Sequence, residues 1–543
     1  MKSRIRRSLA CIAATVLLAV GFSINFAAAE TILRVGESDH GDIDPHQGTL
    51  LADSILMYNI YDMLVFPSLD GETNEMVPHL AESIDIDETG TVYTIKLRPN
   101  VKFHSGNTMT SDDVVFSMNR ILALKKGYSF LFDGWVASAE AMDPLTATIT
   151  LTKPYGAFYS SLSRLGIVDS KTVMANKMEG PHGEFGDYGS DWLLKNSAGT
   201  GAYKVVSHAR TERTELHKFE DYFLGHNPKA PDIVTFGYGQ TDLVVLTLFG
   251  QGKLDLVRPL IQPATKAELL KIEGVTLARE PGVMQLFIML NNTKAPLDDV
   301  HCRRALAFAI DYKSIHSLEE VIPGVEGAKA AYGPLLETLP GFDPMLAPFA
   351  ERDMEKAKAE LAQCKYTPGD HRLQLIWMAS NRKGEQIALL LQSNWGELGF
   401  QSDIESRVWA HFVSENARPE SAPMVAPIYI SPPIPDPDSF LYQTYHSSRH
   451  GQWAAAGYFA DAEVDALLEQ GRTMPVGAER NQLYKKVSQR IIDRQAAIFA
   501  MQLVNLIPKR DTFFWPNLET PGMNLGLQGG NHLFRLMEMK DSN

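Results

Sequence analysis

Strand-like and helix-like stretches alternate along this chain from one end to the other, and that alternation narrows the fold more than any other feature. "TILRVGES" (31–38) reads as a buried strand, and "LLADSILMYNIYDMLV" (50–65) as a helix with apolar residues three and four apart. "TVYTIKLRPNVKFHSGN" (91–107) alternates apolar and polar residues in two runs broken by Pro-Asn, which predicts a half-exposed antiparallel hairpin. In "TMTSDDVVFSMNRIL" (108–122), Thr110 and Asp113 stand at capping-box spacing ahead of an apolar run, so a helix starts there. "TATITLTKP", "GAYKVVSHARTERTELHKF" and "PDIVTFGY" are strand-like, whereas "DDVHCRRALAFAIDYKSI" and "QIALLLQSNWGELG" are helix-like. "PGFDPMLAPF" (340–349) reads as a surface connection. There is no repeat and no low-complexity linker, so the expected fold class is α/β in two lobes.

The first 29 residues have the layout of a signal peptide: basic "MKSRIRR", apolar "LACIAATVLLAVGFSINF", then "AAA" before Glu30. The expected location is periplasmic, with cleavage after Ala29. The formal charge of the whole chain is −14, and losing Lys2, Arg4, Arg6 and Arg7 with the leader makes it −18, which speaks against nucleic acid as a partner. Beyond the leader only Cys302 and Cys364 remain. One bridge between them is open, and spacing does not establish it.

No nucleophile elbow, HExxH zinc motif or phosphate loop is present, and no cofactor is expected. "GTGAY" (199–203) reads as a turn into a strand rather than a dinucleotide cradle. "HGDIDPH" offers His40, Asp42, Asp44 and His46 at alternate positions, but Gly41 and Pro45 break the regularity, and a polar loop outweighs a metal site. The loop still matters, because open α/β sheets bind ligands beyond the carboxyl ends of their strands. Trp377 and Trp395 sit in apolar, core-like surroundings, while Trp409 and Trp453 lie in more polar stretches where an aromatic platform could form.

"SPPIPDPDSF" (431–440) is a rigid loop, since proline fixes φ and removes the amide donor, and Asp438 ahead of "SFLY" is placed as a helix N-cap.

Together "VPHLAESIDIDETGTVYTIKLRPNVKFHSGNTMTSDDVVFSMNRI", "GTGAYKVV", "FEDYFLGHNPKAPDIVTF", "MLNNTKAPLDDVHCRRALAFAID", "DPDSFLYQTYHSS" and "YFADAEVDALLEQ" resemble, in order, the family 5 extracellular solute-binding proteins of dipeptide and oligopeptide ABC importers. The resemblance implies a periplasmic-binding-protein type II fold of Venus-flytrap kind, with an extra domain in the N-terminal lobe and a solute in the interlobe cleft. It implies lobe I from 30–60, 196–280 and 500–543, the additional domain from 61–195, and lobe II from 281–499. It implies no catalysis, a monomeric receptor, and a separate permease and ATPase as partners.

Candidate ligand contacts are the loop from His40 to His46, Arg382, Trp409, the segment Tyr429 to Pro433 with Ser431, Asp436 and Trp453. In relatives that bind peptides, an aspartate four residues before the second proline of the Asp-Pro-Asp run holds the ligand's ammonium. Here that position is Pro433. A buried ammonium without a paired charge would cost several kcal/mol, so an oligosaccharide or opine-like solute is favoured over an ordinary peptide. The competing expectation is that Asp436 or an acid of the "HGDIDPH" loop takes the ammonium. Two other functions stay open: a periplasmic hydrolase with paired carboxylates, and a sensory or chaperone-like binding protein on the same scaffold.

Overall fold

The computed structural model describes residues 30–37, 41–70, 75–257, 261–280, 284–346, 351–379, 381–521, 523 and 525–540, with Arg382 described in its backbone alone. The expected signal peptide lies outside the described residues, as does His40. No described helix is long and apolar enough to cross a membrane. Thr31–Asn543 is one compact unit.

Two large sheets carry the two lobes. The first has seven strands in the order Val275–Glu280, Asn505–Arg510, Leu256–Val257, Ile32–Gly36, Ile233–Gly237, Arg213–Lys218, Tyr203–Ala209. Ile32–Gly36 pairs in parallel with neighbours on both sides, and Leu33 and Val35 are buried there, as expected for a strand covered on both faces. The second sheet has six strands in the order Ala328–Lys329, Ala497–Leu503, Gln285–Leu290, Val425–Ile430, Arg372–Met378, Gln401–Arg407. Every residue of Gln285–Leu290 is buried.

The chain passes between these sheets twice in adjacent places. Val275–Glu280 leads on to Gln285–Leu290, and Ala497–Leu503 turns at Val504 into Asn505–Arg510. Ala497–Leu503 pairs with Gln285–Leu290 along its length, and Val504 separates it from Asn505–Arg510.

A third, antiparallel sheet joins Ala81–Ile86, Val92–Leu97, Thr146–Leu151 and Val136–Asp143, with helix Ser111–Leu124 packed on it. That helix starts as its sequence demands: the Asp113 carboxylate accepts from the Thr110 amide at 2.8 Å. The predicted hairpin across Pro99–Asn100 does not form. Val92–Leu97 takes Ala81–Ile86 and Thr146–Leu151 as partners, and the second run makes only an isolated bridge, Lys102 with Thr108. Both edges of the first run are filled, one by Ala81–Ile86 across the short turn 87–91 and the other by Thr146–Leu151 from further along the chain, which local alternation cannot reveal.

Helix Leu51–Ile60 is shorter than predicted. After Ile60 the chain extends and Asp62 turns inward, where its carboxylate accepts from Thr200 (2.7 Å) and Tyr222 (3.0 Å) and pairs with His79 (2.8 Å). The "GTGAY" turn packs against this helix end: a Cβ on Gly199 would lie 2.0 Å from the Ile60 carbonyl oxygen, so only glycine fits. Cys302 and Cys364 are disulfide-bonded, tying helix Val300–Ala309 to the chain beyond helix Met354–Leu361. Trp395 is wholly buried, with its indole N–H on the Leu306 carbonyl, as a core tryptophan should be.

Candidate functional site

The proline loop runs from the end of strand Val425–Ile430 into helix Pro437–Tyr445. Its prolines leave few amides to satisfy, so it can cross between lobes without a partner strand. Ile434, 1% exposed, is plugged into the apolar core built on the third, antiparallel sheet. One residue earlier, the Pro433 carbonyl accepts from Arg164 Nε at 2.6 Å.

The two loop carboxylates are held within the protein. The helix N-cap is Asp436 rather than Asp438, because the helix begins at Pro437 and the Asp436 side chain accepts from the Asp438 amide at 2.9 Å. Asp436 also takes both ends of the Arg480 guanidinium, at 2.7 and 2.8 Å. Asp438 accepts from Tyr155 of the other lobe and from Tyr484, each at 3.2 Å, and lies 3.3 Å from Arg472. Burial pushes its carboxyl up to about 6 against the pull of Arg472. Asp436, a candidate ammonium receptor, is therefore a structural acid, because its charge is already neutralised at two points.

A cavity of about 50 Å³ lies between the lobes, beside the strands that cross between them. Leu51, Lys266 and Gln528 line it from the first lobe, Glu319, Lys383 and Ser431 from the second, and Leu503, Val504 and Asn505 where the chain passes over. Lys383 Nζ sits 2.7 Å from both Glu319 oxygens. Lys266 is 5% exposed and has no hydrogen-bonding or ionic partner for its amine among the described residues. Burial, and then the Lys383 charge, bring its pKa down to about 8. Ser431 Oγ and Tyr429 OH are buried without a hydrogen-bond partner among the described residues, and Tyr429 is held in its neutral form by burial and the Glu319 charge.

The other candidates part company. Trp409, 46% exposed, meets Trp453 edge to face at 5.1 Å, so two tryptophans 44 positions apart do converge, although neither lines the cavity. Arg382 opens helix Arg382–Gly396 next to Lys383. His46 is a correction: it is fully buried, its Nε2 bonded to the Gly166 carbonyl and its Nδ1 to Arg120, both at 2.9 Å. Burial and the Arg120 charge lower it to about 3, and with both ring nitrogens engaged it is a core histidine.

Asp44 in the same loop pairs with Arg120 at 2.6 and 2.7 Å, and Asp42 pairs with Arg210, so the alternating acids face different cations rather than one metal. Sequence reasoning missed Lys266, Glu319, Lys383, Gln528 and Arg164. Only Arg164 left a signal, as a charge inside the apolar run "SLSRLGIV".

Residues 75–452 match the family described as bacterial extracellular solute-binding proteins, family 5. Over 454 residues the chain is 30% identical to heme-binding protein A of Haemophilus influenzae, covering 78% of each. Among solved structures it resembles the ABC transporter substrate binding protein CtaP from Listeria monocytogenes, with a TM-score of 0.80 at 23% identity over 94% of this chain and 100% of that one. It also resembles MoaA of A. tumefaciens R10 in complex with mannopinic acid, with a TM-score of 0.75 at 22% identity over 94% and 100%.

Proposed function

Because the chain belongs to the family 5 bacterial extracellular solute-binding proteins and has their two-lobed type II fold, we propose that it captures a small polar solute between its lobes for an ABC importer, and that this solute is not an ordinary free-amino peptide. Proteins of this family bind small solutes or peptides and work with a permease and an ATPase. The observation that carries the ligand reading is the contact of Arg164 with Pro433. Where peptide-binding relatives place a carboxylate for an ammonium, this chain has a proline whose carbonyl is taken by a buried guanidinium. A ligand ammonium there would meet a like charge in a dry site, which is strongly unfavourable. The loop acids offer no substitute, since Arg480 and Arg472 already neutralise them.

An opine-like or oligosaccharide solute fits better, and MoaA with mannopinic acid shows that a protein of this fold holds such a compound. A cavity of about 50 Å³ has room for a few waters only, whereas a solute pocket needs roughly 300 Å³ or more. Loading therefore requires the lobes to part about the chain crossing at Val504. We place a lobe boundary at that crossing and assign 61–195 to the additional domain. The paired Trp409 and Trp453 form a second aromatic surface on lobe II that can flank the solute as the lobes close.

A hydrolase reading finds little support, because Glu319 is the sole carboxylate among the described cavity-lining residues and it is neutralised by Lys383. Calorimetry with di- to pentapeptides tests the proposal. Micromolar binding that disappears on acetylating the peptide N-terminus would overturn it.

A further inference from the structure

We propose that the closed form is held by a latch outside the binding cavity, in which the Arg472 guanidinium of lobe II is caged by Trp135 and Tyr155 of the additional domain; this rests on the lobe parting and the domain assignment proposed above. Arg472 lies near the end of helix Ala462–Thr473, and none of these three residues is among the described residues that line the cavity. Its guanidinium carbon stands 3.6 Å from the ring centroid of Tyr442, 4.5 Å from that of Trp135 and 5.5 Å from that of Tyr155. Trp135 and Tyr155 are themselves stacked, with centroids 4.0 Å apart and planes 10° apart. The Arg472 side chain is only 11% exposed, and a desolvated cation gains more from aromatic faces than an exposed one does.

Two bodies with separate cores meet at this cage. Trp135 and Tyr155 belong to the core on the third sheet, and Tyr442 belongs to a core on the second. The Tyr155 hydroxyl donates to Asp438 at 3.2 Å, and the Gly156 amide donates to the Arg472 carbonyl at 2.8 Å. At Gly156 the backbones approach more closely than a side chain allows, since a Cβ there would lie 2.2 Å from the Met474 carbonyl oxygen. The atoms nearest to that Cβ all belong to Met474 and Arg480 of lobe II. Gly156 does not have a positive φ, so alanine is crowded there only while the two bodies touch.

The contact is built to come apart. Its carboxylates are balanced within lobe II, Asp436 by Arg480 and Asp438 by Arg472, and the additional domain brings to Arg472 only two rings and a backbone amide. Parting the lobes therefore strands no carboxylate without its cation. What parting loses is the cage around Arg472 and the seat of Ile434 in the third sheet's core. Those losses favour closure before any solute contact is made, so affinity is set partly outside the cavity.

Small-angle X-ray scattering of the purified protein, with no solute added, tests the latch, with melting temperatures measured alongside. Gly156→Ala and Arg472→Met are compared with the parent and with Gly250→Ala, whose added methyl meets nothing within 4 Å. The expected result is a larger radius of gyration in both latch variants, equivalent to a roughly tenfold shift of the open-to-closed ratio. Gly250→Ala should keep the parent's dimensions, and both latch variants should melt close to the parent. Parent dimensions in either latch variant would overturn the inference. A large fall in melting temperature at unchanged size, or a Gly156→Ala protein that fails to fold, would make the contact a fixed part of the scaffold and overturn it equally.

Ser431→Trp separates this inference from the reading beneath it. The indole has no room in a cavity of about 50 Å³, so it should wedge the lobes apart without touching the latch. Enlargement by Ser431→Trp but not by the latch variants would sink the latch alone. No enlargement in any of the three would sink the proposed parting of the lobes as well.

Discussion

Two acidic loops stand at opposite ends of the chain, and each meets a buried arginine from another element, yet the two encounters differ in charge balance. In "HGDIDPH", Asp44 neutralises Arg120 and His46 completes the cluster as a neutral imidazole. At "SPPIPDPD", Arg164 meets the carbonyl of Pro433 and the hydroxyls of Ser54 and Tyr58, with no acid among its described partners, while the nearby acids are spent on Arg480 and Arg472. A balanced buried pair holds a scaffold in register, and removing one partner strands the other's charge. An unbalanced one lowers stability.

The contrast is sharpest in substitution. Arg120→Met leaves Asp44 buried and unpaired and should cost ~3–5 kcal/mol, read as a large fall in the denaturation midpoint; a loss below ~1 kcal/mol would remove the difference between the loops. Opening the Cys302–Cys364 bridge, 62 residues apart in sequence, should cost ~4 kcal/mol on the chain-entropy account. It should do so without changing ligand affinity, because the bridge lies away from the cavity; affinity lost on reduction would show the two to be linked.

Acid should weaken the first loop before the second. His46 is held by burial and the Arg120 charge at about 3, below the ordinary 6.5, so the unfolded chain gains its proton first and stability falls as pH drops from 6.5 toward that value. Unfolding midpoints that stay level between pH 6.5 and 4 would count against a neutral buried imidazole.

Lys266 works in the same direction in a more alkaline window. Its folded pKa of about 8 lies below the unfolded 10.5, so between those values the unfolded state holds the extra proton and stability rises with pH. The groups acting on it are Lys383, Glu319 and Asp242. Lys266→Met should flatten the rise, and an unchanged slope would place the titration elsewhere. Smallest of all, Trp409→Ala should cost under ~1 kcal/mol of stability, since the ring is half-exposed; a fall comparable to that of a core tryptophan would show that the Trp409–Trp453 pair is core rather than platform.

Where the signal is local, sequence and structure agree. Helix Ser111–Leu124 begins at the capping box written into Thr110 and Asp113, and Tyr203–Ala209 pairs with Arg213–Lys218 as adjacent alternating runs should. Where pairing joins distant segments the sequence misleads, as at Val92–Leu97, whose neighbours come from either side of the expected hairpin. The candidate site divides in the same way. Of the cavity-lining residues Ser431 was legible, because it opens a proline run that stands out in composition. Lys266, Glu319 and Lys383 were not, since each is an ordinary surface-type residue until folding brings them into one cavity.

The sequence by itself determined the alternation of strands and helices and the stiffness of the proline loop, because these depend on local pattern and covalent geometry. Only the tertiary structure decided which charges are balanced. Asp436 and Asp438, Arg120 and Arg164 look alike in the chain. Whether a buried charge is neutralised depends on side chains 44, 46, 76 or 269 residues away reaching within 3 Å or so, and such distances are set by packing and not by order along the backbone.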